Sequence, residues 1–339
     1  MSEAAAPIGV AGAGRMGRGI AAACALAGVR CLLLDLRPRS AEEFARIEAL
    51  ALDELTRDLT FLSSLGFINP ERLPTLRQLI TVLPAASAAV RVAECEVVFE
   101  GLPETLAAKT VALDWISRHA RHEAIIASTT STMDVDVLAA VVARPDRFLN
   151  AHWLNPAHLM PIVEIATGKH TDAAVTARMR EVLVKLGKAP VVCKASPGYI
   201  VPRIQALAMN EAARLVEENV ASAEDIDTAV RKGFGLRFAV LGLLEFVDWG
   251  GNDILYYASE HLSKTVDADR FRTPAIISRN MHEGRNGLRD GLGFYDYRGQ
   301  DVEAYRRRRL EQFVRLMAFL DLLPPGLRTA CAPAAASDH

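Results

Sequence analysis

Hydrophobic and polar positions along the first 195 residues predict strands and helices in alternation. Short apolar runs typical of buried strands are separated by longer stretches with apolar residues at helical spacing. The predicted strands are a run beginning at Ile8 and residues 30–34, 79–82, 96–99, 124–127, 148–151, 161–165 and 190–193; the predicted helices are residues 20–27, 40–65, 104–119, 133–142 and 172–186. This alternation indicates an α/β fold, with a mostly parallel, doubly wound sheet between helices.

The pattern changes after Ser196-Pro197-Gly198. Residues 200–218, 222–232 and 240–262 have apolar residues at helical spacing and few strand signals, and the run Ser-Ala-Glu-Asp at 222–225 is typical of a helix start. We therefore predict an α/β domain over residues 1–195 and an all-helical domain over residues 196–329. The last ten residues, 330–339, are low in complexity, and we expect them to be a disordered tail.

Composition narrows the class of protein. A chain of 339 residues is longer than one hydrophobic core usually supports, which also favours two domains. Half of the residues are hydrophobic and the formal net charge is −2, so no basic surface for nucleic acid or an anionic membrane is expected. The N-terminus has no secretory signal pattern and no apolar run reaches the length of a membrane span. We expect a cytoplasmic protein with neither kind of partner.

The cysteines suggest no cross-link and no metal site. They are odd in number and form no Cys-x-x-Cys pair. We expect most of them to be small core residues, with the last one in the tail. The five are Cys24, Cys31, Cys95, Cys193 and Cys331.

A glycine fingerprint follows the first predicted strand and opens the first predicted helix. Gly12 permits the tight turn, Gly14 lets the backbone approach a pyrophosphate, and Gly17 lets helix and strand pack closely. The helix N-terminus then faces the phosphates. Together with the intervening Arg15 and Met16, these glycines form the predicted dinucleotide site of an N-terminal Rossmann domain.

A carboxylate at the end of the second predicted strand selects the cofactor. Asp35 follows Gly17 by eighteen residues, which is where a Rossmann domain carries the acid that binds the ribose hydroxyls of NAD. Arg37 and Arg39 lie just beyond and offer an alternative, a site for the 2′-phosphate of NADP. Because Asp35 would repel that phosphate, we predict NAD as the cofactor.

A histidine and a glutamate downstream of this site point to the chemistry. His152 follows a predicted strand and Glu164 comes twelve residues later. A neutral imidazole takes the proton of an alcohol as hydride leaves the carbon, and a carboxylate on its other nitrogen fixes the tautomer. Alone, His152 would more often be a satisfied core or surface histidine. Beside a dinucleotide site, the pair predicts a dehydrogenase.

Several motifs make the chain resemble the L-3-hydroxyacyl-CoA dehydrogenase family over residues 7 to 300. They agree with the family in order and spacing. They are the Phe-Glu-Gly-Leu-Pro-Glu run at 99–104 with Lys109, the Ser-Thr-Thr-Ser-Thr loop at 128–132, His152 with Asn155, Pro156 and Glu164, the Pro-Gly-Tyr-Ile-Val run at 197–201, and Gly-Phe-Tyr-Asp-Tyr at 293–297.

The resemblance implies roles for these residues. Ser131 is expected to hydrogen-bond the substrate oxygen, with Asn155 beside it, and Glu104 and Lys109 to lie near the cofactor. A homodimer through the helical domain is also implied. Each residue has a simpler interpretation: Ser131 as a helix cap, Asn155 as a turn residue, Glu164 as a solvent-facing strand residue, and Lys109 as a solvated helix lysine.

Two departures from the family bear on the substrate. Pro202 stands where the family has an asparagine that contacts the reacting oxygen, and proline offers neither a side-chain donor nor a backbone N–H. Ser131 or Asn210 are candidates to compensate. The run at 235–242 replaces the Met-Gly-Pro of the acyl-CoA enzymes and resembles relatives that oxidise free hydroxy acids. Arg237 in that run is either a carboxylate clamp or an exposed arginine at a helix start.

The charge of the second predicted helix leaves the substrate open. Coenzyme A carries phosphates that are usually met by lysines and arginines, whereas residues 40–58 hold at least as many acids as bases. Arg72 and Arg77 remain available to bind the phosphates of coenzyme A. Family membership favours a short 3-hydroxyacyl-CoA such as 3-hydroxybutyryl-CoA, and Arg237 with the acidic helix favours a free 3-hydroxy acid.

We therefore predict NAD-dependent oxidation of an L-3-hydroxyacyl substrate to its 3-oxo form. The alternative substrate is a free hydroxy acid, and the alternative of another class is a non-catalytic NAD-binding structural protein. A hydroxyisobutyrate or phosphogluconate type of dehydrogenase fits poorly, because it needs a lysine base at the start of the helical domain and residues 200–218 contain no lysine.

Overall fold

The structure, a computed structural model, describes residues 5–328. The chain divides into two compact units, Met1–Met209 and Asn210–His339. One helix, Val201–Glu217, begins before this division and ends after it, and the domain boundary predicted at residue 195 stays a prediction. Cys331 and the tail predicted for residues 330–339 lie outside the described residues.

The first unit is built on one eight-stranded sheet. Its strands are β1 Ile8–Ala11, β2 Cys31–Asp35, β3 Ile80–Pro84, β4 Val97–Glu100, β5 Ile125–Ser128, β6 Phe148–Trp153, β7 Ile162–Thr167 and β8 Ala189–Lys194. The order across the sheet is β3-β2-β1-β4-β5-β6-β7-β8. Strands β1 to β6 run parallel, β7 is antiparallel to β6, and β8 is parallel to β7. The predicted α/β, doubly wound Rossmann fold is confirmed.

Helices cover both faces of this sheet, which is why the central strands are buried and mostly apolar, with polar residues near their C-terminal ends. Every residue of β1, β2, β4, β5 and β6 is buried. One hydrophobic cluster packs against helices near residues 20–25, 51–59 and 175–183, and a second packs against helices near residues 88, 113–116 and 135–139. The helices are α1 Arg15–Leu26, α2 Ala41–Ser64, α3 Leu73–Gln78, α4 Ala85–Arg91, α5 Leu106–His119, α6 Val135–Ala139, α7 Ala173–Lys185 and α8 Val201–Glu217.

Two helix starts show how local side chains set the element bounds. Helix α2 begins with a capping box, in which Ser40 Oγ accepts from the Glu43 amide at 3.2 Å and Glu43 accepts from the Ser40 amide at 2.9 Å. Helix α6 is capped by Asp134, which accepts from the Asp136 amide at 2.7 Å. The helix therefore starts after the predicted residue 133, and Ser131 is not its cap.

The second unit is helical among its described residues. Its helices are α9 Ala223–Ala229, α10 Gly235–Phe238, α11 Leu243–Gly250, α12 Asn252–Thr265, α13 Ala268–Phe271, α14 Ala275–His282, α15 Val302–Phe319 and α16 Pro325–Arg328, with a π-helical turn at Val230–Phe234. The stretch with helical spacing over residues 240–262 holds two helices, because Gly251, with φ 120°, separates α11 from α12. Across residues 5–328, no helix is both long enough and apolar enough to cross a membrane.

A buried aspartate explains the glycine-aromatic motif at residues 293–297. Asp248 is fully buried and its carboxylate accepts from the amides of Phe294 and Tyr295, each at 2.9 Å. A Cβ on Gly293 would lie 2.2 Å from Asp248 Oδ1, so only glycine fits there. Within its unit this motif satisfies a buried charge.

Candidate active site

The glycine turn between β1 and α1 fits a dinucleotide. A Cβ on Gly17 would lie 1.9 Å from the carbonyl oxygen of Gly12, and Gly12 has φ 109°. A Cβ on Gly14, by contrast, would meet no atom within 4 Å, so open space lies beside this backbone. The first turn of α1 contains no acidic residue. The turn therefore offers helix N–H groups and room for a pyrophosphate, as predicted from the spacing.

Asp35 lies at the end of β2 and lines a cavity of about 390 Å³, here called the cofactor cavity. Gly12, Gly14 and Arg15 line the same cavity. Asp35 is 5% exposed and forms an ion pair with Arg39, so one of the two arginines considered for a 2′-phosphate is held by the carboxylate. These residues fit the adenosine half of NAD, whose ribose hydroxyls are bound by such an acid.

His152 and Glu164 face each other across the antiparallel pair β6 and β7, where they occupy matched positions in the ladder. Both are buried, and His152 Nδ1 lies 2.8 Å from Glu164 Oε2. With Nδ1 bonded to this carboxylate, a neutral His152 carries its proton there and leaves Nε2 free to accept one. The solvent-facing interpretation of Glu164 is wrong.

The other oxygen of Glu164 is held by backbone. Glu164 Oε1 accepts from the amides of Ile200 at 2.9 Å and Val201 at 2.8 Å. Burial acts to raise the pKa of Glu164, but the hydrogen bonds from His152, Val201 and Ile200 outweigh it and lower the pKa below its usual value. The carboxylate is therefore ionised and fixed in position beside the imidazole.

His152 lines a second cavity of about 460 Å³, here called the catalytic cavity. It shares Arg15, Gly101 and Leu102 with the cofactor cavity, so the two adjoin within the first unit. The structure thereby brings together residues predicted from separate motifs. The predicted residues that line the catalytic cavity are Arg15, Met16, Glu104, Ser131, His152, Asn155 and Pro202.

The two other substrate candidates do not line this cavity. Asn210 and Arg237 both belong to the second unit. There Arg237 is exposed on α10, with its guanidinium 5.6 Å from the centre of the Phe246 ring. Gln205 lines the catalytic cavity instead, three residues after Pro202 and hence on the same side of α8. Helical spacing from Pro202 is the signal that would have found it.

Glu104 organises the loop that carries Ser131. Its Oε1 accepts from the Ser131 amide at 2.9 Å, the Ser131 hydroxyl at 3.3 Å and the Thr132 amide at 3.2 Å, and also from the Thr130 hydroxyl. Burial acts to raise the pKa of Glu104, but the Thr130 hydrogen bond and the charge of Lys109 prevail and lower it to about 2. The carboxylate thus stays ionised and fixes the serine loop.

Lys109 is not solvated, because it is fully buried between two carboxylates. Its Nζ lies 3.1 Å from Glu100 Oε2 and 3.2 Å from Glu104 Oε2. Glu100, also fully buried, accepts in addition from the Ser128 hydroxyl at 2.6 Å. Lys109 lines neither cavity, so its contacts support the serine loop through the carboxylates. Glu100 carries no signal in the sequence beyond its place in the acidic motif.

This chemistry defines the class first: an NAD-dependent dehydrogenase that acts on a CH–OH group, in which a histidine base adjoins a dinucleotide site. The family follows from comparison with known proteins. The 3-hydroxyacyl-CoA dehydrogenase NAD binding domain matches residues 7–196, and the 3-hydroxyacyl-CoA dehydrogenase C-terminal domain matches residues 198–297. The chain belongs to the 3-hydroxyacyl-CoA dehydrogenase family.

Individual relatives fall on both sides of the substrate question. A 3-hydroxybutyryl-CoA dehydrogenase of Bradyrhizobium diazoefficiens is 32% identical, over 86% of this chain and 95% of its own length. The 5-formyl-3-hydroxy-2-methylpyridine 4-carboxylate 5-dehydrogenase of Mesorhizobium japonicum is 28% identical, over 93% of this chain and 98% of its own. The crystal structure of a 3-hydroxyacyl-CoA dehydrogenase from Archaeoglobus fulgidus is similar, with a TM-score of 0.74, 32% identity, and coverage of 94% of this chain and 100% of that one.

Proposed function

We propose that this protein oxidises the 3-hydroxyl group of an L-3-hydroxyacyl substrate to a 3-oxo group, with His152 as the general base. The observation that carries this proposal is the 2.8 Å contact between His152 and Glu164 at the wall of a cavity that adjoins the glycine turn. Bound at the glycine turn, NAD would supply the acceptor for the hydride that leaves the substrate carbon. His152 Nε2 takes the hydroxyl proton, and the Glu164 carboxylate stabilises the imidazolium that results.

The remaining residues of the site bind and orient. Ser131 and Asn155 line the catalytic cavity and supply a hydroxyl and an amide that can hold the reacting oxygen. Gly12, Gly14, Gly17 and Asp35 would hold the cofactor, with Arg15 and Met16 at the start of α1, where the helix adjoins both cavities. Glu104 and Lys109 act through the serine loop.

For the substrate we propose a short-chain 3-hydroxyacyl-CoA thioester such as 3-hydroxybutyryl-CoA. Membership of the family and the Bradyrhizobium relative support this choice. A free hydroxy acid is the second candidate, and Arg15 favours it. Arg15 is exposed, lines the catalytic cavity and has no ion pair within residues 5–328, so its guanidinium is available to a carboxylate.

We further infer a homodimeric, cytoplasmic protein that binds no nucleic acid. The net charge of −2 shows no overall excess of positive charge, which proteins that bind a polyanion usually have. Helices α8 and α15 have no buried residue in the single chain, and apolar side chains such as Leu207, Leu310 and Val314 are exposed on them. Large exposed apolar areas of this kind are typical of subunit interfaces. Light scattering of the purified protein at micromolar concentration tests the dimer.

The function is tested by NADH absorbance with a panel of 3-hydroxybutyryl-CoA, free 3-hydroxybutyrate, carnitine, gulonate and aromatic hydroxy acids. We expect the thioester to be oxidised faster than its free acid. If Arg15→Met sharply raises KM for a free acid and a free acid is the preferred substrate, the second candidate replaces the first. Absence of NADH formation with every substrate, while NAD still binds, would favour a non-catalytic NAD-binding protein.

A further inference from the structure

The turn before α8 is strained at a residue with a large side chain. Gly198 has φ 73° and Tyr199 has φ 43°, a left-handed conformation that residues with a Cβ rarely adopt. The amides that follow this turn, those of Ile200 and Val201, both donate to Glu164 Oε1. A strained non-glycine residue next to a catalytic pair suggests that its side chain is needed there.

The ring of Tyr199 is stacked on the base. The ring centres of His152 and Tyr199 are 5.1 Å apart and the planes make an angle of 25°. Tyr199 is only 6% exposed, so little water competes for this face of the imidazole. An aromatic face attracts a cation, and the attraction strengthens when the pair is desolvated. The stack therefore favours the imidazolium that forms when His152 accepts a proton.

The hydroxyl of Tyr199 joins two parts of the site. It donates to the carbonyl oxygen of Thr130 at 2.9 Å and accepts from Asn150 Nδ2 at 3.1 Å. Thr130 precedes Ser131 in the serine loop, and Asn150 precedes His152 by two positions in β6. Burial raises the pKa of the Tyr199 hydroxyl, which stays protonated and able to donate. A phenylalanine at this position would lack both bonds.

We propose that Tyr199 is a positioning residue for the reaction, whose ring stabilises the protonated form of His152 and whose hydroxyl fixes the distance between the base and the serine loop. The inference rests on the proposed role of His152. It assigns separate tasks to the ring and to the hydroxyl, which two substitutions separate.

Other charged and titratable groups face this pair and are left unchanged by those substitutions. Glu164 approaches from β7, Glu104 from the loop after β4 and the thiol of Cys193 from β8, and each acts electrostatically on Tyr199. Arg15, on α1, lines the same catalytic cavity as His152. A change on replacing Tyr199 alone is therefore a change due to its ring or hydroxyl.

The ring is tested with Tyr199→Leu in the full chain. Loss of the stack should move the pH at which the oxidation rate is half-maximal downward by about 0.4 to 1.5 units, the range that a cation–π contact supports. The His152 resonance in the NMR titration of 15N-histidine-labelled protein without substrate should shift equally. It is assigned by comparison with His152→Gln. A lower rate with both midpoints unchanged would show that the ring only fills space and would overturn this part.

The hydroxyl is tested with Tyr199→Phe, which keeps the ring. We expect kcat to fall about five- to tenfold, an effect of the size typical for neutral hydrogen bonds, with an unchanged pH midpoint. Wild-type kcat in Tyr199→Phe would overturn the task assigned to the hydroxyl. Because the NMR titration needs no turnover, failure of this inference remains distinguishable from failure of the proposed function, which the substrate panel tests.

Discussion

The cofactor cavity and the catalytic cavity are built in opposite ways. The glycine turn depends on the absence of side chains. Gly12 and Gly17 lie where a Cβ would meet backbone atoms, and Gly14 lies beside open space. Beside the catalytic cavity the chain buries charged groups and gives them partners, as with Glu164 between His152 and two amides. The first region should therefore fail when an atom is added, and the second when a charge is removed.

The largest effect is expected at the glycine turn. Gly17→Ala places a Cβ 1.9 Å from a backbone oxygen, so helix and strand must separate. We expect a loss of more than about 4 kcal/mol in the free energy of unfolding, with loss of NAD binding. Gly14→Ala is the matched control: its Cβ meets no atom, so Tm should hold while NAD binding weakens. Equal Tm values for the two variants would contradict this account of the turn.

Removal of the buried cation that supports the serine loop beside the second region should cost slightly less. Lys109→Met leaves Glu100 fully buried without its ion pair, and we expect the free energy of unfolding in urea to fall by about 3 to 5 kcal/mol. Adding Glu100→Gln should recover part of this loss. Lys169→Met, at a side chain that is 83% exposed, is the control and should change stability by less than about 0.5 kcal/mol. A similar small change for Lys109→Met would mean that the ion pairs of Lys109 add little to the stability of the protein.

A smaller effect is expected at Asp35, a buried and ion-paired carboxylate that lines the cofactor cavity. Asp35→Ser removes the acid for the ribose and frees Arg39 from its ion pair. The preference for NAD over NADP, measured as a ratio of kcat/KM, should fall about ten- to hundredfold, the value of a charge-assisted hydrogen bond. Adding Arg39→Met should abolish any gain with NADP. Equal use of both cofactors by the wild type would contradict the role of Asp35.

The same contrast explains what the sequence could predict. The glycine turn and Asp35 depend on local spacing, so the sequence was sufficient for them. The partnership of His152 and Glu164 was also predictable, because antiparallel neighbours connected by a short segment meet across the ladder. Burial of Lys109 was not, since it depends on packing between β4, β5 and α5, which one sequence does not show.

Two other features could not be predicted from the sequence, for geometric reasons. The stack of Tyr199 on His152 requires the left-handed turn at residues 198–199, and a tyrosine in the sequence does not predict that conformation. The break at Gly251 interrupts a stretch whose apolar spacing continues on both sides, so the periodicity alone does not locate it. Gln205, by contrast, follows Pro202 at helical spacing and could have been found from the sequence.

In the proposed mechanism His152 removes the hydroxyl proton, while Glu164 fixes the imidazole in position and stabilises the imidazolium that forms. The most direct test is the rate of NADH formation in a single turnover, across pH, for the wild type, His152→Gln and Glu164→Gln, with His122→Gln as an exposed control. We predict a loss of at least about a hundredfold in His152→Gln with near-normal NAD binding, an intermediate loss in Glu164→Gln, and no change in the control. Wild-type turnover in His152→Gln would contradict the mechanism and leave the family resemblance as one of fold alone.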